Sequence, residues 1–270
     1  MGVPRILHYP GSKWSMAEWI ISHMPPHTTY LEPYFGSGGI FFNKPRVPLE
    51  TINDIDGDVV NLFRVVRTRS AELAEAIRWT PYSRDEYYTS YEPVEDELER
   101  ARRFLVRCRQ AIGTKTSDRT GWKSNIDIKS CSTSPPAAQW SRIPKKIMQV
   151  AERLEGVQIE QQPALQVIER YEKPSVLIYA DPPYLLDTRS GRMYKHEMTP
   201  GDHETMLKAL ERHPGPVLLS GYANRMYDEM LRHWRREAKE VMAEGGQPRT
   251  EVLWINPIAA ESIGRQLTLF

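Results

Sequence analysis

Short apolar runs alternate with amphipathic stretches along most of the chain. This alternation is typical of a mostly parallel sheet with helices packed on both faces. The runs predict seven strands, at Thr29–Glu32, Thr51–Asp54, Val157–Glu160, Val176–Asp181, Val217–Gly221, Lys239–Ala243 and Val252–Asn256. Seven strands suffice for a doubly wound α/β sheet of the Rossmann-like kind.

Apolar spacing and terminal signals predict helices between these strands. A helix over Trp14–His23 places three apolar residues at helical spacing and is stopped by Pro25. Another begins at Pro200, with Thr199 as its N-cap. A third is predicted over Tyr227–Arg236.

The stretch from Tyr82 to Arg153 interrupts the alternation between the second and third strands. It contains a predicted helix, Glu95–Ala111, a polar loop, Gly113–Pro136, and a second helix, Pro144–Leu154. Loops of this length are usually functional or mobile. We therefore expect a small, mostly helical insert at residues 83–153, with residues 1–82 and 154–270 forming the two parts of the main domain.

Composition places the chain among soluble globular proteins. Hydrophobic residues make up 40% of its 270 residues, charged residues 26%, and the mean hydropathy is −0.55. No apolar run approaches the length of a membrane span, and the N-terminus lacks the apolar core of a secretory signal. Two cysteines, Cys108 and Cys131, do not make a disulfide scaffold or a metal site. The expected location is the cytoplasm, with no membrane and no metal as partner.

The formal net charge of +1 hides an asymmetry. Residues 50–99 contain 13 acidic and 5 basic side chains, whereas residues 100–146 contain 12 basic and 2 acidic ones. The basic segment also carries Trp122, Asn125 and several hydroxyl side chains. This mixture suits phosphate and base contacts, although a solvated helix face would have a similar composition.

A glycine-rich turn follows the first predicted strand, in the segment from Leu31 to Gly39. Glycines there allow close approach of a ligand, and we expect a helix to open at Ile40–Asn43. The strict dinucleotide pattern fails because Phe41 stands where its third glycine belongs. Asp54 ends the second strand about 20 residues later, where a carboxylate can bind ribose hydroxyls.

The segment Asp181-Pro182-Pro183-Tyr184 follows a fully apolar strand. An acid at the carboxyl end of such a strand lies where open α/β sheets bind ligands, and two prolines fix the backbone beside it. The carboxylate and a neighbouring carbonyl would accept the two hydrogens of a planar aromatic amine, while Tyr184 stacks on its ring. We therefore predict a site that orients such an amine.

Together these segments resemble the Dam-type class of DNA adenine-N6 methyltransferases. The resemblance rests on Tyr9-Pro10-Gly11-Ser12-Lys13, Glu32-Pro33-Tyr34-Phe35-Gly36-Ser37-Gly38 and Asp181-Pro182-Pro183-Tyr184, which occur in the order of that class. Further matches are Asp202-His203, Leu218-Leu219-Ser220-Gly221-Tyr222 and the run from Thr250 to Pro257. The motifs therefore extend over nearly the whole chain, and the class implies a methyltransferase sheet.

The resemblance implies S-adenosylmethionine as the cofactor. Tyr9 and Lys13 would lie near its methionine end, with the Lys13 ammonium on the cofactor carboxylate, and Asp54 on its ribose. Glu32, Pro33, Gly36 and Gly38 would line its path, and Asp181 would stand where cofactor and target meet. Asp181, Pro182, Pro183 and Tyr184 would form the catalytic segment.

The resemblance also implies double-stranded DNA as the partner, with the target adenine flipped out of the duplex. The insert would contact DNA, and the segment after the catalytic residues would close over it. The predicted DNA-binding residues are Arg103, Arg107, Lys115, Arg119, Lys123, Asn125, Arg189, Tyr194 and His196. We expect a monomer, acting in a bacterial or phage-infected cell, with or without a restriction partner.

One segment departs from the class, and other functions stay open. Some relatives have an acid after the third strand that helps to hold the adenine, but Gln161-Gln162-Pro163-Ala164 stands there. Cytosine-N4 methylation uses a similar amine geometry, although its enzymes often begin the tetrapeptide with serine. An inactive DNA-binding relative is a further alternative, whereas a nicotinamide-dependent dehydrogenase lacks its third glycine.

Overall fold

Seven strands form one sheet in the computed structural model, which describes residues 2–127, 134–189, 191–242 and 248–267. The strands are β1 (Thr29–Glu32), β2 (Leu49–Asn53), β3 (Gln158–Glu160), β4 (Val176–Ala180), β5 (Val217–Tyr222), β6 (Arg235–Met242) and β7 (Pro248–Ile255). Their order is β3-β2-β1-β4-β5-β7-β6, and only β7 runs antiparallel to its neighbours. The predicted α/β doubly wound methyltransferase sheet is therefore confirmed.

Eleven α-helices within the described residues connect and cover the strands. They are α1 (Ala17–Ile21), α2 (Gly57–Thr68), α3 (Ser70–Trp79), α4 (Arg84–Thr89), α5 (Glu97–Gln110), α6 (Pro136–Trp140), α7 (Ile143–Leu154), α8 (Ala164–Arg170), α9 (Pro200–Arg212), α10 (Arg225–Met230) and α11 (Pro257–Leu267). A 3-10 turn at Trp14–Met16 precedes α1. The predicted helix over Trp14–His23 thus divides into two short pieces.

Thr199 caps α9 as its sequence predicts. Its hydroxyl oxygen accepts from Asp202 N at 3.2 Å, and the Asp202 carboxylate accepts from Thr199 N at 2.8 Å. This reciprocal pair satisfies two N-terminal amides of the helix. It fixes where the segment after Tyr184 enters α9.

One predicted helix is wrong, and another is shorter than predicted. Residues 40–43 form a turn, closed by hydrogen bonds from Phe42 N to Gly38 O at 3.0 Å and from Lys44 N to Ile40 O at 2.9 Å. The predicted helix Tyr227–Arg236 ends at Met230, and β6 begins at Arg235. Tyr227, Leu231 and Trp234 are all buried, so the apolar spacing correctly predicted which side chains face the core. Beyond Met230, however, a turn and not a helix places them there.

β6 begins earlier than expected. It starts four residues before the predicted Lys239, and the predicted end at Ala243 lies outside the described residues. The strand pairs with β7 along its whole length, from Arg235 opposite Ile255 to Met242 opposite Pro248. Its polar sequence follows from its position at the edge of the sheet, where one side of the ladder faces solvent.

Alternate residues of the strands supply two buried clusters on opposite faces of the sheet. Tyr30 and Tyr179 face one cluster, whereas Leu31 and Ile178 face the other. The first cluster also receives side chains from insert helices α5 and α7, among them Leu105 and Ile147. Each fully buried aliphatic side chain contributes about 1.5–3 kcal/mol to folding. The insert helices therefore share the main core, and the division at residues 83–153 stays a prediction.

The long predicted loop is only partly described. An isolated bridge joins Ala111 to Trp122 at its base, and Lys123 N donates to Gln110 O at 2.7 Å. Cys131 lies outside the described residues, whereas Cys108 is a buried free thiol whose pKa burial raises to about 12. The Cys108 thiol is therefore inert as a nucleophile. None of the described helices combines the length and apolarity of a membrane span.

Candidate active site

A cavity of about 430 Å³ opens at the carboxyl edge of the sheet, beside β1 and β4. Strand order reverses between these two strands, because β2 follows on one side and β5 on the other. Such a switch point leaves a crevice between the loops that leave the strands, and ligands bind there. The loops after β1, β2 and β4 line the cavity together with residues 9–13.

The turn after β1 depends on glycine. Gly36 has a φ of 50°, and a β-carbon there would lie 3.1 Å from Tyr9 Cδ1. Gly38 has a φ of 66°, and its missing side chain leaves room for the Phe35 and Phe42 rings. Gly36 thus lets the N-terminal segment close against the cavity, whereas Gly38 shapes the turn from behind and does not line the cavity.

Asp54 fastens this turn to the end of β2. Its Oδ2 accepts from Gly36 N at 2.7 Å and its Oδ1 from Asp56 N at 2.9 Å. Burial raises the pKa of Asp54 to about 6, although these backbone donors work in the opposite direction. The carboxylate still lines the cavity, so its predicted ribose contact would add to the backbone bonds.

Glu32 ends β1 as a buried acid, only 2% exposed. Tyr30 Oη donates to Glu32 Oε2 at 2.6 Å, and no described residue forms a salt bridge with Glu32. Burial raises the pKa of Glu32 to about 8, although the Tyr30 hydrogen bond opposes the change. A buried acid without a cation favours a positively charged ligand beside it.

Lys13 and Asp181 meet across the cavity. Lys13 Nζ lies 3.0 Å from Asp181 Oδ1 and donates to the Gly11 carbonyl at 2.7 Å. Burial raises the pKa of Asp181 to about 6 even though Lys13 lowers it. Burial also opposes the charge on Lys13, but Asp181 and Glu251 outweigh it and raise its pKa. Lys13 thus pairs with a protein carboxylate here, and its expected pairing with a cofactor carboxylate stays a prediction.

Tyr184 is held from three sides. Its hydroxyl donates to Glu251 Oε2 at 2.8 Å and lies 3.2 Å from Asp181 Oδ1. Lys13 Nζ lies 4.7 Å from the centre of its ring, and Tyr222 meets that ring edge to face at 4.5 Å. Tyr184 is only 7% exposed, so stacking on a target base requires it or Lys13 to move.

Glu251 is the site residue that sequence reasoning missed. It lies on β7 opposite Tyr222 and is 7% exposed. An acid followed by four apolar residues in a predicted strand was the available signal. Of the two prolines, Pro183 lines the cavity and Pro182 is buried beside it.

The segment after Tyr184 is folded onto the site. Arg189 and Glu197 form a buried pair of two parallel hydrogen bonds, and Arg189 Nε donates to the Tyr184 carbonyl at 2.7 Å. The Arg189 guanidinium therefore faces inward, and its predicted contact with DNA stays a prediction. Tyr194 and His196 line the cavity, and Tyr194 occupies the space that a side chain at Gly11 would need.

Backbone hydrogen bonds join this segment to the insert. Thr116 N and Ser117 N both donate to the Met193 carbonyl, at 2.9 and 3.3 Å. The loop of the insert thus touches the loop that lies over the cavity.

The other predicted DNA-binding residues fall into two groups. Arg103 and Arg107 lie on α5 and pair with Glu99 and Asp58, while Lys115 pairs with Asp118. The second group is Arg119, whose guanidinium lies 5.1 Å from the Tyr88 ring centre, and the exposed Lys123 and Asn125. Their contacts with DNA stay predictions.

The segment that departs from the class also borders the cavity. Gln162 N donates to Asn53 Oδ1 at 2.9 Å, while Pro163 and Ala164 line the cavity wall. The cavity wall is therefore apolar at the position where some relatives have an acid. Within the described residues, no group of three or more His, Cys, Asp or Glu side chains is placed to hold a metal ion.

Parts of the chain are similar in sequence to curated DNA adenine methylases. The curated DNA adenine methylase of Vibrio cholerae is 32% identical over 74 residues, which is 27% of this chain and 26% of that protein. The DNA adenine methylase of Escherichia coli K12 is 29% identical over 72 residues, with the same coverage. The matched segments thus span about a quarter of these relatives' length.

A Streptococcus mutans protein described as a methyltransferase, solved in complex with SAH, aligns over 89% of this chain and 96% of its own. Its sequence identity is 8% and its TM-score 0.36. The sequence model of the D12 class N6 adenine-specific DNA methyltransferases, in contrast, matches residues 9–244. Since this match includes the glycine-rich turn, Asp54 and the Asp181–Tyr184 segment, the chain belongs to the D12 class N6 adenine-specific DNA methyltransferase family.

Proposed function

We propose that this protein transfers a methyl group from S-adenosylmethionine to the N6 amino group of an adenine flipped out of double-stranded DNA. The observation that carries the proposal is Asp181, which leaves β4 beside the two prolines and opens into the same cavity as Glu32 and Asp54. Family membership and the names of the curated relatives support the same reaction.

The residues of the cavity fit the proposed cofactor. The Glu32 carboxyl has no salt-bridge partner among the described residues and would receive the amino group of the methionine part. Asp54 would hold the ribose. Gly36 lies close to Tyr9 and has no side chain, so its backbone itself forms part of the cavity wall that would face the cofactor. When bound, S-adenosylmethionine supplies an activated methyl group, so the chain needs no nucleophile of its own.

Asp181 is arranged to hold the target amine. Lys13 and Tyr184 both engage Oδ1, whereas Oδ2 has no hydrogen-bond donor among the described residues. Oδ2 would accept an N–H of the adenine amine and orient its nitrogen towards the methyl group. A carboxylate at this position also stabilises the positive charge that develops on the nitrogen during transfer.

Water exclusion would come from the segment after Tyr184. The Arg189–Glu197 pair holds that segment over the cavity, with Tyr194 and His196 at the rim. Unstacking an adenine costs a few kcal/mol, which stacking on an aromatic ring offsets in part. Tyr184 would supply that ring after Lys13 leaves its face.

The test is to incubate the protein with S-adenosylmethionine and duplex DNA of varied sequence, then digest the DNA and quantify methylated bases by mass spectrometry. N6-methyladenine should appear with the native protein and fall by on the order of 100-fold or more with Asp181→Asn. Glu211→Gln is the matched control, because Glu211 is an exposed acid near the end of α9 that does not line the cavity, and it should methylate normally.

Two results would overturn the proposal. N4-methylcytosine in place of N6-methyladenine would reassign the target base to cytosine. No methylated base, together with a melting temperature that S-adenosylmethionine still raises, would identify an inactive cofactor-binding relative.

A further inference from the structure

Arg109 differs from the other arginines of α5. Arg100, Arg102, Arg103 and Arg107 each lie against a carboxylate. Arg109 is 8% exposed, yet over the described residues it has neither a salt bridge nor a hydrogen bond from its guanidinium. A largely buried charged side chain is ordinarily paired with an acid, and Arg109 has no such partner among the described residues.

Several basic side chains lie near Arg109. His8 and Lys123 line a small cavity with it, and Lys146 and Arg5 act on it or on His8 electrostatically. We call His8, Arg109, Lys123 and Lys146 the basic cluster. No carboxylate of the described residues forms a salt bridge with any of these four side chains.

Burial and neighbouring like charges together lower the pKa of three members of the cluster. Burial, followed by Arg5, lowers the pKa of Arg109 to about 10. Burial and then Arg109 lower the pKa of His8 to about 2, so His8 is neutral at neutral pH. Burial and then Arg109 also lower the pKa of Lys146. Mutual repulsion of this kind is relieved when an anion binds among the cations.

The location and size of the cavity limit what the anion is. His8 directly precedes Tyr9, which lines the active-site cavity, so one member of the cluster adjoins a residue of that site along the chain. Its own cavity measures about 10 Å³, which admits a single water-sized group. One oxygen of a phosphate fits such a space, and a guanidinium holds phosphate oxygens with a rigid pair of donors.

We propose that the basic cluster seats one phosphodiester of the DNA backbone, with Arg109 as its anchor. The proposal rests on the proposed function, since it assumes that DNA is the substrate. In this proposal, the end of α5 and the residues around it fix the position of the duplex relative to the active site. Sequence is read elsewhere, because phosphate contacts position DNA without specifying its bases.

The experiment measures binding of a duplex oligonucleotide at several salt concentrations, together with the melting temperature of each variant. Arg109→Gln should weaken binding on the order of ten-fold and reduce the slope of log Kd against log salt by about 1. Its melting temperature should match or exceed that of the native protein, because it removes an unpaired buried charge. Arg109→Lys should fall between the two in affinity.

Arg212→Gln is the matched control. It makes the same charge change at an exposed position at the end of α9, on the edge of the sheet opposite the cavity. Its DNA affinity and salt slope should equal those of the native protein. A second arm adds inorganic phosphate, which should raise the melting temperature of the native protein but not of Arg109→Gln.

The outcomes separate this proposal from the one it rests on. If the native protein binds no DNA, the proposed function fails. If the native protein binds DNA and Arg109→Gln binds equally well, the phosphate seat alone is wrong. A lower melting temperature of Arg109→Gln would make Arg109 a structural residue, and phosphate protection without any loss of DNA affinity would assign the seat to free anions.

Discussion

The carboxyl edge of the sheet and the layer between α2 and α5 both gather charged side chains, but they balance them differently. At the edge, Glu32, Asp54, Asp181 and Glu251 lie near one another, and only Lys13 among the described residues forms a salt bridge with any of them. In the layer, arginines of α5 lie against carboxylates, and Asp58 pairs with both Arg100, at 2.6 Å, and Arg107, at 3.3 Å.

The difference separates charge that builds the fold from charge that serves the site. In the layer, the partners lower the pKa of Asp58 and Glu99 despite some burial, so these acids stay ionised. At the edge, burial raises the pKa of Glu32, Asp54 and Asp181. An excess of buried acid is a cost that a positively charged ligand removes, and such shifts cluster at functional sites.

The largest effect should come from Lys13, which pairs with Asp181 at the edge. Lys13→Met removes the charge opposite Asp181, so we expect methyl transfer at neutral pH to fall on the order of 100-fold. Because Lys13 lowers the pKa of Asp181, part of the activity should return as the pH is raised. Initial rates from pH 6 to 9 would measure this, and a loss that is equal at every pH would contradict it.

The acid limb of the pH profile should belong to Asp181. Its pKa of about 6 predicts that kcat/KM falls as pH drops below about 6, because the protonated acid no longer accepts an amine hydrogen. Glu251→Gln removes a carboxylate that raises this pKa, so the limb should move to lower pH. A limb that stays in place would exclude coupling between Glu251 and Asp181.

Glu32 should make the protein without cofactor less stable in alkali. Its pKa rises from 4.5 unfolded to about 8 folded, so the folded chain holds a proton that the unfolded chain has released. Stability from this group therefore falls as pH rises through that window. Glu32→Gln should remove the dependence and stabilise the protein at pH 8 by on the order of 2 kcal/mol. Denaturant titrations at pH 5.5 and pH 8 would measure it.

The paired layer should respond in stability and not in chemistry. Asp58→Asn leaves Arg100 and Arg107 without their acid and should cost about 1 kcal/mol, because all three groups are partly exposed. The melting temperature should then fall by about 2–4 °C while kcat is retained. Arg225→Gln, which breaks an exposed pair with Glu229, is the control and should leave the melting temperature unchanged.

A loss of kcat in Asp58→Asn at full stability would abolish the distinction between the two regions. Asp58 also lies 3.5 Å from Lys195 in the segment that lines the cavity, so the Asp58→Asn variant tests whether the layer is independent of the site.

The sequence predicted most of the sheet because local signals and packing agree there. β-Branched runs such as Val176–Ala180 are short, bounded by turn residues and buried on both faces, so nothing competes with a strand. The same holds for the glycine turn and for Asp181, since their chemistry is contained in a few adjacent residues.

Features that depend on distant partners were not predictable. The charge of α5 looked like a free basic surface until the fold brought Asp58 within reach of Arg100, 42 residues away. Glu251 belongs to the site only because β7 returns antiparallel beside β5. The end of α10 at Met230 likewise follows from the pairing of β6 with β7 rather than from local spacing.

The shared core of the insert helices limits how the protein could be re-engineered or could diverge. Leu105 and Ile147 pack with the side chains of α2, so replacing the whole insert by that of a relative would remove part of the scaffold. The stretch between Gln110 and Pro136 instead joins two helix ends and is fastened at its base by the Ala111–Trp122 bridge. Exchange of that stretch between homologues would keep the core packing of Leu105 and Ile147, but it would replace the hydrogen bonds of Thr116 and Ser117 to Met193.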